Sequence, residues 1–274
     1  MRFPVIRFGI APAVDDGAFR TDFDQLCQGL GYHLGTVVEP VVLGHRSRIV
    51  EALAQARLDV AWVTPALALE AYVQRLASAQ WSMVRSGEVV YHSVLFSRGD
   101  GSVKSLADLV DVRAAWVAPD SASGYLVPLV SMRARGVSLS KAFREQVFLD
   151  THEAVVRAVA DNQADVGAGF AHFSSGSLRV PVSSSWSEAG VDQAFHVLAM
   201  AGPIPTDVIV AHRSLKAPYL DALTRAWEWL FESDAVDCAK RIFRSERIVA
   251  TGASHLDGLR KLLGLLDDKA RRPS

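Results

Sequence analysis

Short apolar runs rich in β-branched residues alternate with stretches of helical period along most of this chain, and that alternation restricts its fold more than any other feature. Residues 5–11 (VIRFGIA), 36–43 (TVVEPVVL) and 58–63 (LDVAWV) read as strands. Between them, residues 19–32 and 46–56 place apolar side chains at helical spacing. Thr64 stands where it can cap a further helix that opens on Pro65 and continues to about residue 76. Strands that are apolar on both faces need helices over both, so the expectation is an α/β chain with parallel sheet.

The alternation resumes after an extended run at 89–98 and a polar, turn-forming stretch at 99–109. Residues 113–118, 146–149 and 164–170 read as strands, and 123–136 and 151–163 as helices, the first despite Pro128. The serine- and glycine-rich segment 174–190 reads as an edge, after which 193–202 returns toward the first half. A strand at 206–212 precedes largely helical sequence at 217–231, 234–243 and 254–266, and 267–274 reads as a solvated tail. This layout gives a discontinuous first lobe, 1–95 with 200–274, and a second lobe at 96–199. Two crossings put a hinge behind a cleft suited to a small molecule. No fixed-period repeat stands out.

Composition narrows the partners. With 29 basic and 30 acidic residues the formal charge is −1, so no global field draws the protein to nucleic acid or an anionic membrane, and any bound anion must be held locally. No stretch of 18 apolar residues runs without a charge, so membrane insertion is not expected. Cys27 and Cys238 lack the close spacing of a zinc or redox motif. They read as ordinary buried residues, with a disulfide between them left open. No metal or cofactor is expected, and the chain reads as a monomer. The opening MRFPVIRFGIAP has too short an apolar run for a secretory signal. As it stands the chain reads as cytoplasmic; one relieved of a native leader, and so periplasmic or extracellular, would read the same.

The densest candidate chemistry is Asp120 followed by Ser121, Ala122, Ser123, Gly124 and Tyr125, between a strand and a helix. Small residues let the chain turn closely, hydroxyls donate to oxygen, and leading helix amides lack intrahelical acceptors, so phosphate, phosphonate or carboxylate can be held without lysine. A plain N-cap turn would use the same residues. Thr151 and His152 form a second strand-to-helix joint, where His152 can donate a ring hydrogen to an anion. Parallel strands bring such joints to one crevice. In the first lobe, Arg46 or Arg48 can clamp an oxyanion, Ser47 can cap the helix, and Thr64 ends a strand, although a solvated helix start would look alike. Trp62 reads as core or cleft lining, and Tyr91 and Tyr125 as cleft aromatics.

The ordered pieces IRFGIAP, RIVEALAQARLDVAWVTP, YHSVLFSRGDGSVKSLADL, PDSASGYLVPLV, VFLDTHEAVVRAVADNQADVGA and GPIPTDVIVAHRSL resemble the PhnD-like solute-binding proteins of phosphate, phosphite and phosphonate ABC transporters. The resemblance implies a two-lobed fold of the type II periplasmic-binding-protein kind, with a hinge and an interlobe cleft, and no enzymatic activity. It implies phosphoryl oxygens held by Ser121, Ser123 and His152, an aromatic, Tyr91, near the substituent, and Thr64 facing ligand from the other lobe. Ala122 stands where the family commonly has threonine, and Arg46 where it often has tyrosine. The run Gly167-Ala168-Gly169-Phe170 lacks the carboxylate expected opposite an aminoalkyl ammonium, which points to phosphate, phosphite or a non-amino alkyl phosphonate. The implied partner is an ABC permease if the chain is exported, or a cytosolic signalling partner if it is not. Two other readings stand beside this one: a cytosolic enzyme on the same fold acting on a small organic anion, and a protein-interaction module with a degenerate cleft. Neither a nucleophile and base set nor a metal motif supports the enzyme.

Overall fold

A computed structural model describes residues 4–12, 15–173, 180–233 and 236–270. Strand β1 (Ile6–Ile10) leads through α1 (Gly17–Leu34), β2 (Val38–Val42), α2 (Ser47–Ala54), β3 (Val60–Val63) and α3 (Pro65–Val73) to β4 (Ala77–Val84). Then come β5 (Val90–Arg98), β6 (Val112–Trp116), a π-helical turn (Ala122–Leu126), α4 (Val127–Ala134), α5 (Leu139–Ala142), β7 (Phe143–Phe148), α6 (His152–Ala160), β8 (Val166–Phe173), β9 (Pro181–Ser184), α7 (Ser185–Glu188) and β10 (Phe195–Pro205). The chain closes with β11 (Val208–His212), α8 (Ala217–Glu232), α9 (Val236–Phe243), β12 (Arg247–Ala250) and α10 (Asp257–Ala270).

Two compact units share these elements: Met1–Val89 with Pro205–Asp257, and Val90–Ile204 with Gly258–Ser274. Against the expected division at 95 and 199, the chain crosses at 89/90 and 204/205, because β5 and β10 are neighbours in the second unit's sheet. Residues 258–270, expected with the first lobe, group with the second unit. Of the serine-rich segment, 174–179 lies outside the described residues, as does 271–274 of the tail.

The first sheet has the order β12-β4-β11-β3-β1-β2, with β1 parallel to β2 and β3. Its core packs Phe8 edge-on to Phe23 and Trp227, at centroid distances of 5.3 and 5.8 Å. Cys27 and Cys238 are free thiols in this core, and burial pushes both pKa values up. Strands β4 and β12 answer to nothing in the sequence reading. Helix α3 stops where Arg75 adopts φ 57° and Leu76 N–H closes on Ala71 C=O, a left-handed stop that glycine usually signals. With arginine there, the helical pattern reads on to about residue 76, past the true end at Val73.

The second sheet runs β10-β5-β8-β6-β7, with β9 also on β8; β6 is parallel to β7 and β8, while β5 is antiparallel to β8. One face buries Val94, Phe96, Ala115 and Val117 under Val155 and Val159 of α6. The other buries Leu95, Trp116 and Phe143 under Leu129 and Met132 of α4. Pro128 lies in the first turn of α4, where a missing N–H costs nothing, because the separate π-helical turn precedes it. The continuous helix expected over 123–136 is therefore two elements.

Each unit carries an arginine fork on an aspartate 52 positions later. Arg7 donates from Nε and a terminal nitrogen to Asp59 (2.8 and 2.9 Å), and Arg113 likewise to Asp165 (3.2 and 2.7 Å). The backbone N–H of each arginine also donates to its aspartate carboxylate, and each aspartate N–H donates to its arginine C=O. Among the described residues no helix is long and apolar enough to cross a membrane.

Hydrogen bonds from Arg113 hold the Asp165 carboxyl below its usual range. A depressed folded pKa gives stability that is full above the ordinary aspartate value, about 3.9, and is lost as pH falls through the folded value. Asp165→Asn should therefore cost about 1–2 kcal/mol at neutral pH and flatten the acid limb of a Tm-versus-pH curve. Calorimetric melts from pH 7 to 2 check this, an unchanged acid limb being the contrary result.

Candidate functional site

In the second unit, the carboxyl ends of β6, β7 and β8 share one sheet edge with the start of antiparallel β5. The β6 and β7 exits are tied to each other beyond the strands. Leu149 N–H donates to Trp116 C=O (2.9 Å), Asp150 N–H to Val117 C=O (2.8 Å), and Val117 N–H to Gly124 C=O (3.3 Å). Asp150 takes φ 64° at this joint. These bonds bring the serine turn and the Thr151-His152 helix start, 28 residues apart from Ser123 to Thr151, to one place.

The serine turn is wider than an α-helix start. Leu126 N–H reaches back to Ser121 C=O (2.9 Å) and Val127 N–H to Ala122 C=O, an i→i+5 pattern. Such a turn leads with one more amide lacking an intrahelical acceptor than an α-helix does, and π-turns favour functional sites. Ser121 caps the turn, its Oγ accepting from Gly124 N–H at 3.1 Å. The Gly124 amide is therefore spent on the cap, whereas the Ser121 hydroxyl keeps its own hydrogen to give. Ser121, Ala122, Ser123 and Gly124 are all buried, Ser123 to 2% exposure. Tyr125 turns its ring to the hydrophobic core instead, edge-on to Trp116 (5.7 Å) and Phe148 (4.9 Å).

Thr151 caps α6 by accepting from Ala154 N–H at 3.1 Å, and half-buried His152 opens the helix. The His152 ring stands edge-on to Phe170 at 5.0 Å, and Phe170 packs with Tyr91 (6.4 Å) and His172 (5.6 Å). Tyr91 and His172 lie 5.6 Å apart. One wall of rings thus joins β5, β8 and the start of α6. Sequence names Phe170 only for the carboxylate its run lacks and does not single out His172, and Ser93, which donates to Ser123 C=O at 2.7 Å, is invisible there as well. The alternation of side chains along paired strands was the available signal, because it sets Tyr91 and Ser93 on the face shared by Phe170 and His172. The glycines of the 167–170 run answer to packing: a Cβ on Gly167 would meet Val155 at 2.8 Å, and one on Gly169 would meet Ser185 Oγ at 2.1 Å.

In the first unit, Arg46 and Thr64 follow β2 and β3, which flank β1 in parallel, so both stand at that sheet's carboxyl edge. Thr64 occupies the N-cap of α3 without capping it, and its buried Oγ1 has no hydrogen-bond partner among the described residues. Arg46, half-buried, holds the N-cap of α2 in helical conformation. Ser47, expected as the cap, is the first helical residue, and its exposed hydroxyl pairs with His45 Nδ1 at 2.7 Å. Trp62 rests edge-on against Phe243 of the core (5.5 Å), with its buried indole N–H unpaired among the described residues.

The second unit's edge is thus built from hydroxyls, backbone amides and rings. Burial lowers the His92 pKa beside it, favouring the uncharged ring. Among the described residues no group of three or more His, Cys, Asp or Glu could hold a metal.

A family model described as "ABC transporter, phosphonate, periplasmic substrate-binding protein" matches residues 8–232. The Phosphate-import protein PhnD of Mycolicibacterium smegmatis is 25% identical over 179 residues, covering 61% of this chain and 56% of that relative. The chain thus matches little more than half the length of that relative. A binding protein component of an ABC phosphonate transporter from Pseudomonas aeruginosa is similar in structure, with TM-score 0.69, 23% identity, and coverage of 94% of this chain and 85% of the other. PhnD1 from Prochlorococcus marinus, solved in complex with methylphosphonate, has TM-score 0.74 and 16% identity over 96% of this chain and 98% of its own. These likenesses show the fold, the type II periplasmic-binding-protein kind expected from the sequence.

Gly124 tests the geometry of the turn, because a Cβ there would sit 2.3 Å from Val117 Cγ2. Gly124→Ala should destabilise the protein by about 1–3 kcal/mol. The added change Val117→Ala, which removes the obstructing methyl groups, should recover part of that loss; denaturant unfolding of both variants measures it.

Proposed function

This chain belongs to the phosphonate ABC-transporter periplasmic substrate-binding family, and on that footing we propose that it reversibly binds a small oxyanion: phosphate, phosphite or a non-amino alkyl phosphonate. What carries the reading is the pairing of the buried serine turn with the Thr151-His152 helix start, tied through Val117 and Asp150. An anion leaving water needs many fixed donors, since a desolvated charge is costly unless hydrogen-bonded. Ser121 Oγ–H, leading amides of the π-helical turn and the His152 ring N–H are such donors, and helix starts favour negative charge. In the first unit, Thr64, whose buried hydroxyl has no partner among the described residues, and Arg46, whose guanidinium is a fork suited to oxyanion oxygens, are the groups that could donate to an anion.

Ligand choice follows from the ring wall. Tyr91, Phe170 and His172 offer an apolar surface for a short substituent, while β8 supplies no carboxylate to offset an ammonium. A cognate ABC permease is the partner this reading calls for if the chain is exported, and a cytosolic signalling partner if it is not.

Titration calorimetry with phosphate, phosphite, methylphosphonate and 2-aminoethylphosphonate tests the reading. We expect saturable binding of at least one of the first three and the weakest binding of the fourth. Ser121→Ala should weaken the preferred anion by about tenfold or more, the equivalent of one lost buried donor. No saturable binding by the wild type would end the proposal, and turnover of an added anion would favour an enzyme. Arg46→Tyr should narrow the gap between the preferred anion and 2-aminoethylphosphonate; an unchanged ranking in the same panel removes Arg46 from specificity.

A further inference from the structure

The peptide joining Ser123 to Gly124 is held at both ends. Its carbonyl accepts from Ser93 Oγ at 2.7 Å, and its N–H donates to Ser121 Oγ at 3.1 Å. In a trans peptide the C=O and N–H point in opposite directions, so two such bonds fix the rotation of the whole plane. Ser93 is 2% exposed and Ser121 8%, so water offers little alternative to either bond.

The glycine makes this clamp necessary. Position 124 must lack a Cβ, because Val117 would stand 2.3 Å from one. The same lack of a Cβ opens the backbone conformations through which a peptide plane can flip. Flipping would carry the Gly124 N–H away from Ser121 and swing a carbonyl, with its negative end, toward the side the N–H now faces. The Ser93 hydroxyl opposes this by giving the carbonyl a buried donor on β5. With the plane fixed, Ser121 Oγ stays an acceptor toward Gly124 and its single hydrogen must point elsewhere.

We infer that Ser93 is a positioning residue for oxyanion binding, which holds the Ser123–Gly124 peptide so that the Ser121 hydroxyl faces the anion as a donor. The inference rests on the oxyanion reading for its function, but the clamp itself can be read without ligand. Two signals are followed in wild type, Ser93→Ala and Ser93→Thr: the amide chemical shift of Gly124 in the ligand-free protein, and the calorimetric affinity for inorganic phosphate and methylphosphonate. Ser93→Ala should shift the Gly124 amide and weaken whichever anion binds by about tenfold. Ser93→Thr, which keeps the hydroxyl, should hold both near wild type, a rescue that a mere packing role would not produce. A Gly124 amide unmoved in Ser93→Ala overturns the inference, as does a Ser93→Thr protein that behaves like Ser93→Ala. If the wild type binds none of phosphate, phosphite and methylphosphonate, the oxyanion reading fails, and the Gly124 shift still decides the clamp. Should Ser93→Ala not fold, Ser93→Cys, a weaker donor of similar size, is read by the same two signals.

Discussion

In each unit an arginine near the start of one strand grips the aspartate that precedes a parallel neighbour, Arg7 on Asp59 and Arg113 on Asp165. The grip is more than an ion pair, because the backbone groups of both residues join it. A one-residue slip in strand register would turn every buried side chain to the wrong face, so pinning two strands at their amino ends sets what their carboxyl ends present. The segments that return from those ends, with the serine turn, the Thr151-His152 joint, Arg46 and Thr64, inherit their positions from that register.

What stands at the second unit's edge is chosen for shape and direction rather than for charge. Ser121, Ser123 and His152 come from two loops that the Val117 and Asp150 backbone bonds hold together. Hydroxyls and backbone amides fixed in place can solvate an anion without the desolvation penalty of bringing a buried cation to it. The same edge is closed by rings from β5 and β8, and packing demands fill its remaining positions, with glycine at 124, 167 and 169 wherever a Cβ has no room.

Much of this was legible in the residues themselves. Parallel α/β architecture followed from the strand and helix alternation, and the serine turn with its downstream histidine followed from residue type at strand-to-helix joints. Two kinds of feature escaped. Strands β4 and β12 were hidden because Arg75 makes a helix stop usually marked by glycine and because Arg247–Ala250 is too short to show a period. Ser93 and His172 were hidden, and Phe170 was read only for the carboxylate its run lacks, because nothing in their local sequence separates a wall of rings from an ordinary strand.

Local sequence determined which segments became strands and helices, and where hydroxyls and a histidine would meet helix starts, because period, capping and chain stiffness act over a few residues. Only the tertiary structure decided that Tyr125 packs into the core while Tyr91 joins the ring wall, that Ser47 pairs with His45 instead of capping, and that Ser93 reaches Ser123 across 30 positions. Those outcomes depend on strand order and register, which are set by the burial of whole faces and by bonds between residues far apart in the chain.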